Sequence, residues 1–478
     1  MNHTRFLVLA SLLVFSMTYA QNDNNSWEDD PSQHVLVHAK FRRWRAETPF
    51  GSYRPRKTRT LRTLQGFKST VDQSLSELGG RADVTLDATG YFRTEKVNGR
   101  WWLVDPQGHP FFATSLNSIR PGLRKDRNET SVAAFEERWS DKESWAEDAI
   151  GFLRDNGFNT IGTWSDEATR EIDSPMPWTT VIYVMYPFGA ARGARSDENN
   201  MKFPNECMPI FDPEFPSFCE QKIAEDVTDE MIEDELLVGY FVDNELPWRE
   251  DSLDRYLQID SSDVNYQETA AWLMRRKQAD SEVGIDSLRS LVDDNDRADF
   301  LTLIADRYFS VVSEALKKRD PNHLYLGSRL HGQAVRLKPV FEVVGRYADV
   351  VSVNYYNRWT PRDSEIDAWP EWSGDKPFMI SEWYAKGEDS GYENVQGAGM
   401  VVRTQMDRGQ FYQNFLIRLL ESIHCVGSFW HTYRDTKERP DGSNKGFVSL
   451  DFEPYVELVE LAAEINRGKY SLIDYLDR

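Results

Sequence analysis

The strongest constraint on this chain is a recurrence. Eight short apolar runs read as strands, at 111–117, 158–164, 179–186, 236–243, 323–328, 349–355, 377–381 and 425–430, and helix-period segments separate most of them. Trp145 to Asn156, Ala298 to Lys318, Pro339 to Tyr347 and Gln410 to Ile423 are the clearest helices. Asp320-Pro321 stops the second, because proline cannot continue the hydrogen-bond ladder. Strands that are apolar on both faces need cover on both faces, which parallel strands alternating with helices provide. The pattern predicts an α/β fold, a (β/α)8 TIM barrel. The competing fold is a doubly wound open sheet. No G-x-G-x-x-G follows the first strand and no phosphate loop occurs, which argues against it. The span from 108 to 470 exceeds the ~250 residues of an ordinary barrel. The excess falls after the third strand (187–235) and the fourth (247–297), and long loops on that face predict a deep or extended cleft.

Ahead of the barrel the chain reads in three pieces. Arg5, the apolar run Phe6 to Met17 and the small-x-small triplet Thr18-Tyr19-Ala20 form a signal peptide with its cut after Ala20, so residues 1–20 are removed and the protein is secreted or periplasmic. Residues 21–89 form a polar and basic lead. Its Lys40, Arg42, Arg43, Arg45, Arg54, Arg56, Lys57, Arg59 and Arg62 are either a solvated edge or a patch for an anionic substrate. Residues 90–478 form the catalytic domain, entered through a β-hairpin: Tyr91 to Val97, an Asn98-Gly99 turn, then Arg100 to Val104. No other run is long and apolar enough to span a membrane. In an exported chain Cys207 and Cys219, in a Pro-rich stretch, are placed for a disulfide, whereas Cys425 reads as a buried thiol.

Charge narrows the partners. With 78 acidic against 56 basic residues the formal net charge is −22, which repels nucleic-acid phosphates and anionic membranes alike. No metal-binding motif occurs, and neither a metal nor a cofactor is expected.

Barrel enzymes place their chemistry at the C-terminal ends of the strands. The fourth run ends in Asp243, Asn244 and Glu245, and the seventh in Ser381 and Glu382. One Glu at a strand end is explained by a salt bridge or a capped turn. Two in matched positions, three strands apart, face one another across the mouth. That pairing is what glycoside hydrolysis uses: one carboxyl protonates the leaving oxygen while the other, ionised, attacks carbon or activates water. Asn117, Trp164, Arg329 and His331 lie at or just after the ends of runs one, two and five and are candidate sugar contacts. Ser352, Asn354 and Tyr356 alternate onto one face of run six, the barrel interior.

The Asn-Glu of run four with the Glu of run seven resembles clan A of the glycoside hydrolases, the retaining TIM-barrel enzymes. Within it the wording is most similar to the family 50 β-agarases, in G-Y-F-V-D-N-E at 239–245, Y-L-G-S-R at 325–329, I-S-E-W-Y-A-K-G-E-D-S-G at 380–391 and W-W-L-V-D-P-Q-G-H-P-F-F-A-T-S-L-N-S-I at 101–119. The resemblance implies Glu245 as acid/base, Glu382 as nucleophile and Asn244 as the hydrogen-bond partner of the sugar 2-hydroxyl. It implies Tyr356, with Tyr355 as runner-up, as the tyrosine that bonds the nucleophile, and Trp430 as the floor under the sugar at the cleavage point. The lead is too short for the N-terminal β-sandwich that this family commonly carries. The expected activity is cleavage of β-galactosidic bonds in an agarose-like algal galactan. The alternatives are a β-galactosidase, a hydrolase of sulfated galactans such as porphyran or carrageenan, and a barrel that only binds sugar.

Overall fold

A computed structural model describes residues 26–41, 49–124, 128–196, 201–280 and 282–478. The signal-peptide reading of residues 1–20, and Arg42, Arg43 and Arg45 of the basic lead, lie outside the described residues. Among the described residues no helix is long and apolar enough to cross a membrane.

Eight parallel strands make one curled sheet: β1 (Ala113–Asn117), β2 (Thr160–Ile161), β3 (Trp178–Ile182), β4 (Leu237–Val242), β5 (Leu324–Tyr325), β6 (Val351–Asn354), β7 (Phe378–Trp383) and β8 (Cys425–His431). Each strand lies beside its neighbour in sequence, and β8 lies beside β1 with Trp430 opposite Leu116 and His431 opposite Asn117. Of the expected barrel, the structure shows a curled sheet of eight parallel strands. The ladder is interrupted between β5 and β6, leaving a half-barrel sheet whose two outer strands are joined by an isolated parallel bridge, Leu330 to Val353, and by Asp349 and Val350 N–H donating to Tyr325 O at 2.9 and 3.3 Å. There Leu330 N–H donates to Ser352 O and Asn354 N–H to Leu330 O, both at 2.9 Å. The break has a local cause. β5 is two residues long, and Gly327 (φ 77°) and Arg329 (φ 52°) turn the chain out of the extended conformation just beyond it.

Two apolar clusters lie on the two faces of the sheet. Inside its curl are Ala113, Val238, Phe241, Leu326, Val350, Met379, Val426 and Phe429. The hairpin of Arg93–Val97 and Arg100–Val104 adds Phe92, Leu103 and Phe111 to the same cluster, so it closes the N-terminal end of the interior. Asn98 (φ 52°) and Gly99 (φ 88°) supply the left-handed pair that a two-residue hairpin turn requires. Outside, Val351 and Val353 pack with the helical layer, which includes Lys142–Asp155, Asp294–Arg319, Lys338–Tyr347 and Gln405–Glu421. β1 and β2 approach so closely at their tips that a Cβ on Gly162 would stand 2.6 Å from Asn117 Oδ1.

The lead does not float free. Val35–Lys40 pairs antiparallel with Arg54–Thr58 and with Met400–Val402, which pairs in turn with Ala385–Gly387 in the loop after β7. Its charges meet acids: Lys40 with Glu388 at 2.6 Å, Lys57 with Glu28 at 3.8 Å, and Arg59 with Glu421. These three face partners within the fold, so a substrate patch built on them is not what is seen. The disulfide expectation is also corrected. Cys207, Cys219 and Cys425 are all free, buried thiols. Cys207 lies near Arg255 and Asp263, whereas Cys219, on helix Phe215–Asp226, lies near Asp243 and Arg307, so the fold sends the two side chains to different parts of the core.

Candidate active site

The strand ends on one rim carry strained turns. Ser118, Trp164, Asp243, Glu245, Arg329 and Asn357, which follow β1, β2, β4, β5 and β6, all have φ between 51° and 62°. A left-handed conformation costs a residue with a Cβ roughly 1–2 kcal/mol, and such strain gathers where function demands a particular side-chain direction.

Asp243 anchors the β4 turn. Its buried carboxylate accepts from the N–H groups of Val184, Met185 and Tyr186 at the start of helix Met185–Ala190, and from the Tyr308 hydroxyl at 2.8 Å. Burial pushes that carboxyl up to about 6 in spite of these bonds. The contacts tie the tip of β4 to the loop after β3 and turn Asn244 and Glu245 towards the mouth.

One hydrogen-bond network joins the two glutamates. Asn354, at the end of β6, donates through Nδ2 to Glu245 Oε1 at 3.0 Å and to Asn244 Oδ1 at 3.2 Å. Its Oδ1 accepts from Ser381 Oγ at 2.8 Å. Arg329 Nε donates to Asn244 Oδ1 at 2.8 Å, and its Nη2 to Glu382 Oε1 at 2.6 Å. The Tyr356 hydroxyl donates to Glu382 Oε2. His331 Nδ1 stands 3.6 Å from Glu245 Oε1. Arg329 is fully buried, held between the rings of Trp164 (4.6 Å) and Phe241 (4.8 Å).

The electrostatics separate the two carboxyls. Burial alone would raise Glu382; the charges of His431 and Arg329 and the hydrogen bonds from Tyr356 and Arg329 outweigh it and hold the group at about 2. Burial lowers His431 itself to about 4, so His431 is uncharged at neutral pH and Arg329 is the cation that acts there. Burial, reinforced by the charge of Glu382, keeps Tyr356 protonated and therefore a donor. Glu382 is an anion gripped from two sides and aimed into the mouth. Glu245 shares that mouth, bonded by an amide rather than a guanidinium.

The other sequence candidates divide. Trp164 is half-buried at the mouth, its Nε1 donating to the Tyr183 hydroxyl at 3.0 Å. Asn117 is buried and fully used, giving Nδ2 to Ser381 O at 2.8 Å and taking Thr163 N–H and its hydroxyl on Oδ1. It braces β1, β2 and β7 from below instead of contacting sugar. Trp430 is likewise corrected. It is fully buried among Trp383, Tyr412 and Phe447, with Nε1 donating to Lys445 O at 2.7 Å, because residues alternate along β8 and 430 faces the helices. His431, the next residue, reaches the rim. Tyr355, the runner-up tyrosine, points into the outer layer and bonds Glu365. Asn354 lay on the right face in the sequence, but nothing there marked it as the link between Glu245 and Asn244. Tyr384, on the loop after β7, lay inside the family-like string at 380–391 but was given no role, and Lys445, on the loop after β8, carried no sequence signal.

No protein-family profile matches the chain. Beta-agarase B of Vibrio sp. (strain JT0107) is 28% identical over 500 residues, covering 82% of this chain and 50% of that protein. Beta-agarase A of the same strain is 26% identical over 460 residues, covering 78% and 45%. The chain thus spans about half the length of these curated relatives. Among solved structures, the crystal structure of BpGH50 superposes with a TM-score of 0.80 at 29% identity, covering 93% of this chain and 96% of that one. The agarase AgWH50C superposes with a TM-score of 0.68 at 23% identity, covering 84% and 67%, a likeness of fold alone.

Proposed function

We propose that this chain is a retaining glycoside hydrolase that cleaves β-galactosidic bonds in an agarose-like galactan. The observation that carries the reading is the pairing of Glu382, an ionised carboxylate fixed by Arg329 and Tyr356, with Glu245 in the same hydrogen-bond network at the same mouth. Similarity to two beta-agarases over most of the chain supports the substrate class. The Leu330–Val353 bridge and the apolar interior support reading the curled sheet as a closed (β/α)8 barrel of the clan A type, with residues 90–478 as its catalytic unit. Export, with a cut after Ala20, rests on Arg5 and the apolar run to Met17.

The chemistry runs in two displacements. Glu382 attacks the anomeric carbon from one face while Glu245 gives its proton to the departing glycosidic oxygen. Glu245, now a base, takes a proton from water, which displaces Glu382 and restores the starting configuration. Asn244 suits the 2-hydroxyl. Its Oδ1 is occupied by Arg329 and Asn354, while its Nδ2 donates to no described residue.

The test follows the anomeric proton of the first product by NMR with neutral agarose oligosaccharides. The β-anomer is expected first, and an α-anomer would overturn the retaining mechanism. Glu382→Ala and Glu245→Gln should each lower turnover by several orders of magnitude while the chain stays folded. Azide added to Glu382→Ala should yield an α-glycosyl azide. Near-wild-type turnover in Glu382→Ala would defeat the assignment.

A further inference from the structure

The overall charge of −22 suggests a protein that keeps anions away, yet the mouth is different. Lys445 sits on the loop after β8, and both ends of its peptide unit are fixed. Its N–H donates to the buried carboxylate of Asp435 at 2.9 Å, and its carbonyl accepts from Trp430 Nε1 at 2.7 Å. Asp435 also takes Gly446 N–H at 2.8 Å and the Tyr455 hydroxyl at 2.6 Å, so the loop is clamped where Lys445 leaves it. The side chain reaches back over the ring of Tyr384, with Nζ 5.2 Å from its centroid. The Tyr384 ring lies 5.0 Å from that of Tyr356, the donor to Glu382. A Cβ on Gly397 would stand 2.6 Å from the Tyr384 hydroxyl and 2.7 Å from Lys445 Nζ, so a glycine leaves that corner open.

Among the described residues the ammonium has no carboxylate partner. Among the described residues it makes neither an ion pair nor a hydrogen bond, although Glu382, Glu245 and Asp435 all act on it from a distance and Lys437 opposes them. Glu382 is already matched by Arg329. Burial lowers Lys445 below its ordinary value, although the side chain keeps part of its surface exposed. A second cation stands across the β8–β1 seam. Arg120, on the loop after β1, is exposed and, among the described residues, donates to Ser118 Oγ at 3.4 Å. Lys445 and Arg120 both act electrostatically on His431, which lies between their loops at the tip of β8. Asp166 is the acid nearest in effect to Arg120, and it already pairs with Lys142 at 2.8 Å.

Building on the glycosidase reading above, we infer that Lys445, with Arg120 behind it, forms a subsite for an anionic substituent, a sulfate ester or a carboxylate, on the sugar held over Glu382. A neutral sugar would leave this half-buried ammonium without a counter-charge; an anionic substituent would give it a charge-assisted hydrogen bond. The local sign of the mouth is thus opposite to that of the molecule, and this separates a charged galactan from a neutral one at the step of binding.

The test compares kcat/KM on a neutral galactan oligosaccharide, the same backbone carrying one ring sulfate ester, and one carrying a carboxylate. The wild type is expected to favour an anionic substrate, with KM for it rising as sodium chloride is added. Preference for the sulfate or the carboxylate arm identifies the group. Lys445→Gln should reduce the anionic-over-neutral preference by about 10- to 100-fold through the lost charge-assisted contact. Arg120→Gln should reduce it severalfold and flatten the salt dependence, with an unchanged melting temperature as the check on folding. Equal losses on all three substrates, or a wild type that prefers the neutral one, would overturn the subsite while leaving the glycosidase reading intact. Turnover of none of the three would overturn both.

Discussion

At Glu382 two effects oppose each other, and the winner is set by single residues. Burial favours the neutral acid, whereas Arg329 and Tyr356 favour the anion and prevail. Arg329 does this with a fork, one nitrogen on Asn244 and another on Glu382, and lysine cannot reach both. Arg329→Lys should therefore lower kcat/KM by about 10- to 100-fold and move the acid limb of its pH profile upward, because Glu382 loses a donor that favours its charged form. An unmoved limb would show that Arg329 does not set the charge of Glu382. Trp430 supplies a second test. As a core residue, its change to Ala should cost about 3–5 kcal/mol in denaturant titration, while Trp430→Phe should leave KM near wild type. A large rise in KM for the Phe variant would restore Trp430 as a sugar platform. Both roles follow from neighbours that no reading of nearby sequence could supply. Glu382 was visible as an acid after an apolar run, but the partners that keep it ionised come from β5 and β6.

At the scale of the element, the loops after the strands do the shaping, and buried carboxylates hold them. Asp435 is the clearest case, with two backbone N–H groups, an amide and a tyrosine hydroxyl on one side chain. Asp435→Ala leaves those donors unsatisfied in the interior and should cost about 3 kcal/mol, each orphaned donor carrying its own desolvation penalty. Hydrogen exchange should accelerate in 435–446 well before it does in β8. Uniform acceleration across the whole chain would mean that the loop and the strand unfold as one. The strands themselves were legible as apolar runs because they are covered on both faces. Their lengths were not, since β2 and β5 are two residues each, shortened by turns at Gly162, Gly327 and Arg329.

Across the whole molecule, acid is the natural stress. Glu382 is held at about 2, with burial opposed by His431, Arg329 and Tyr356. Asp320 is also held at about 2, with burial opposed by His323 and Tyr240. Both folded values lie below the unfolded ones, so each group contributes stability that is complete above about pH 4.5 and disappears as the pH falls through about 2. Each contributes about 2–3 kcal/mol as an upper bound. The denaturant midpoint should fall steadily between pH 5 and pH 2, and Glu382→Gln should fall less over the same window. An identical slope in the variant would remove Glu382 from the acid response. The charge of −22 deepens the contrast, since the same acidic chain that gains solubility from its exterior gathers Arg329, Lys445 and Arg120 around its mouth.

By itself the sequence determined the order of strands and helices, the rim on which chemistry is carried, and the two glutamates, because these depend on periodicity and on which residue follows an apolar run. The tertiary structure alone decided the rest. Whether Trp430 or His431 faces the mouth depends on the phase of one strand. Whether Cys207 meets Cys219 depends on how the segment of Cys207 and the helix Phe215–Asp226 pack into the core. The charge of Glu382, the link through Asn354 and the placing of Lys445 over Tyr384 depend on groups far apart in the chain that meet only when the sheet curls. Pattern along a chain reports which face is apolar; it does not report which polar side chains are brought within 3 Å of one another, and that distance decides the chemistry.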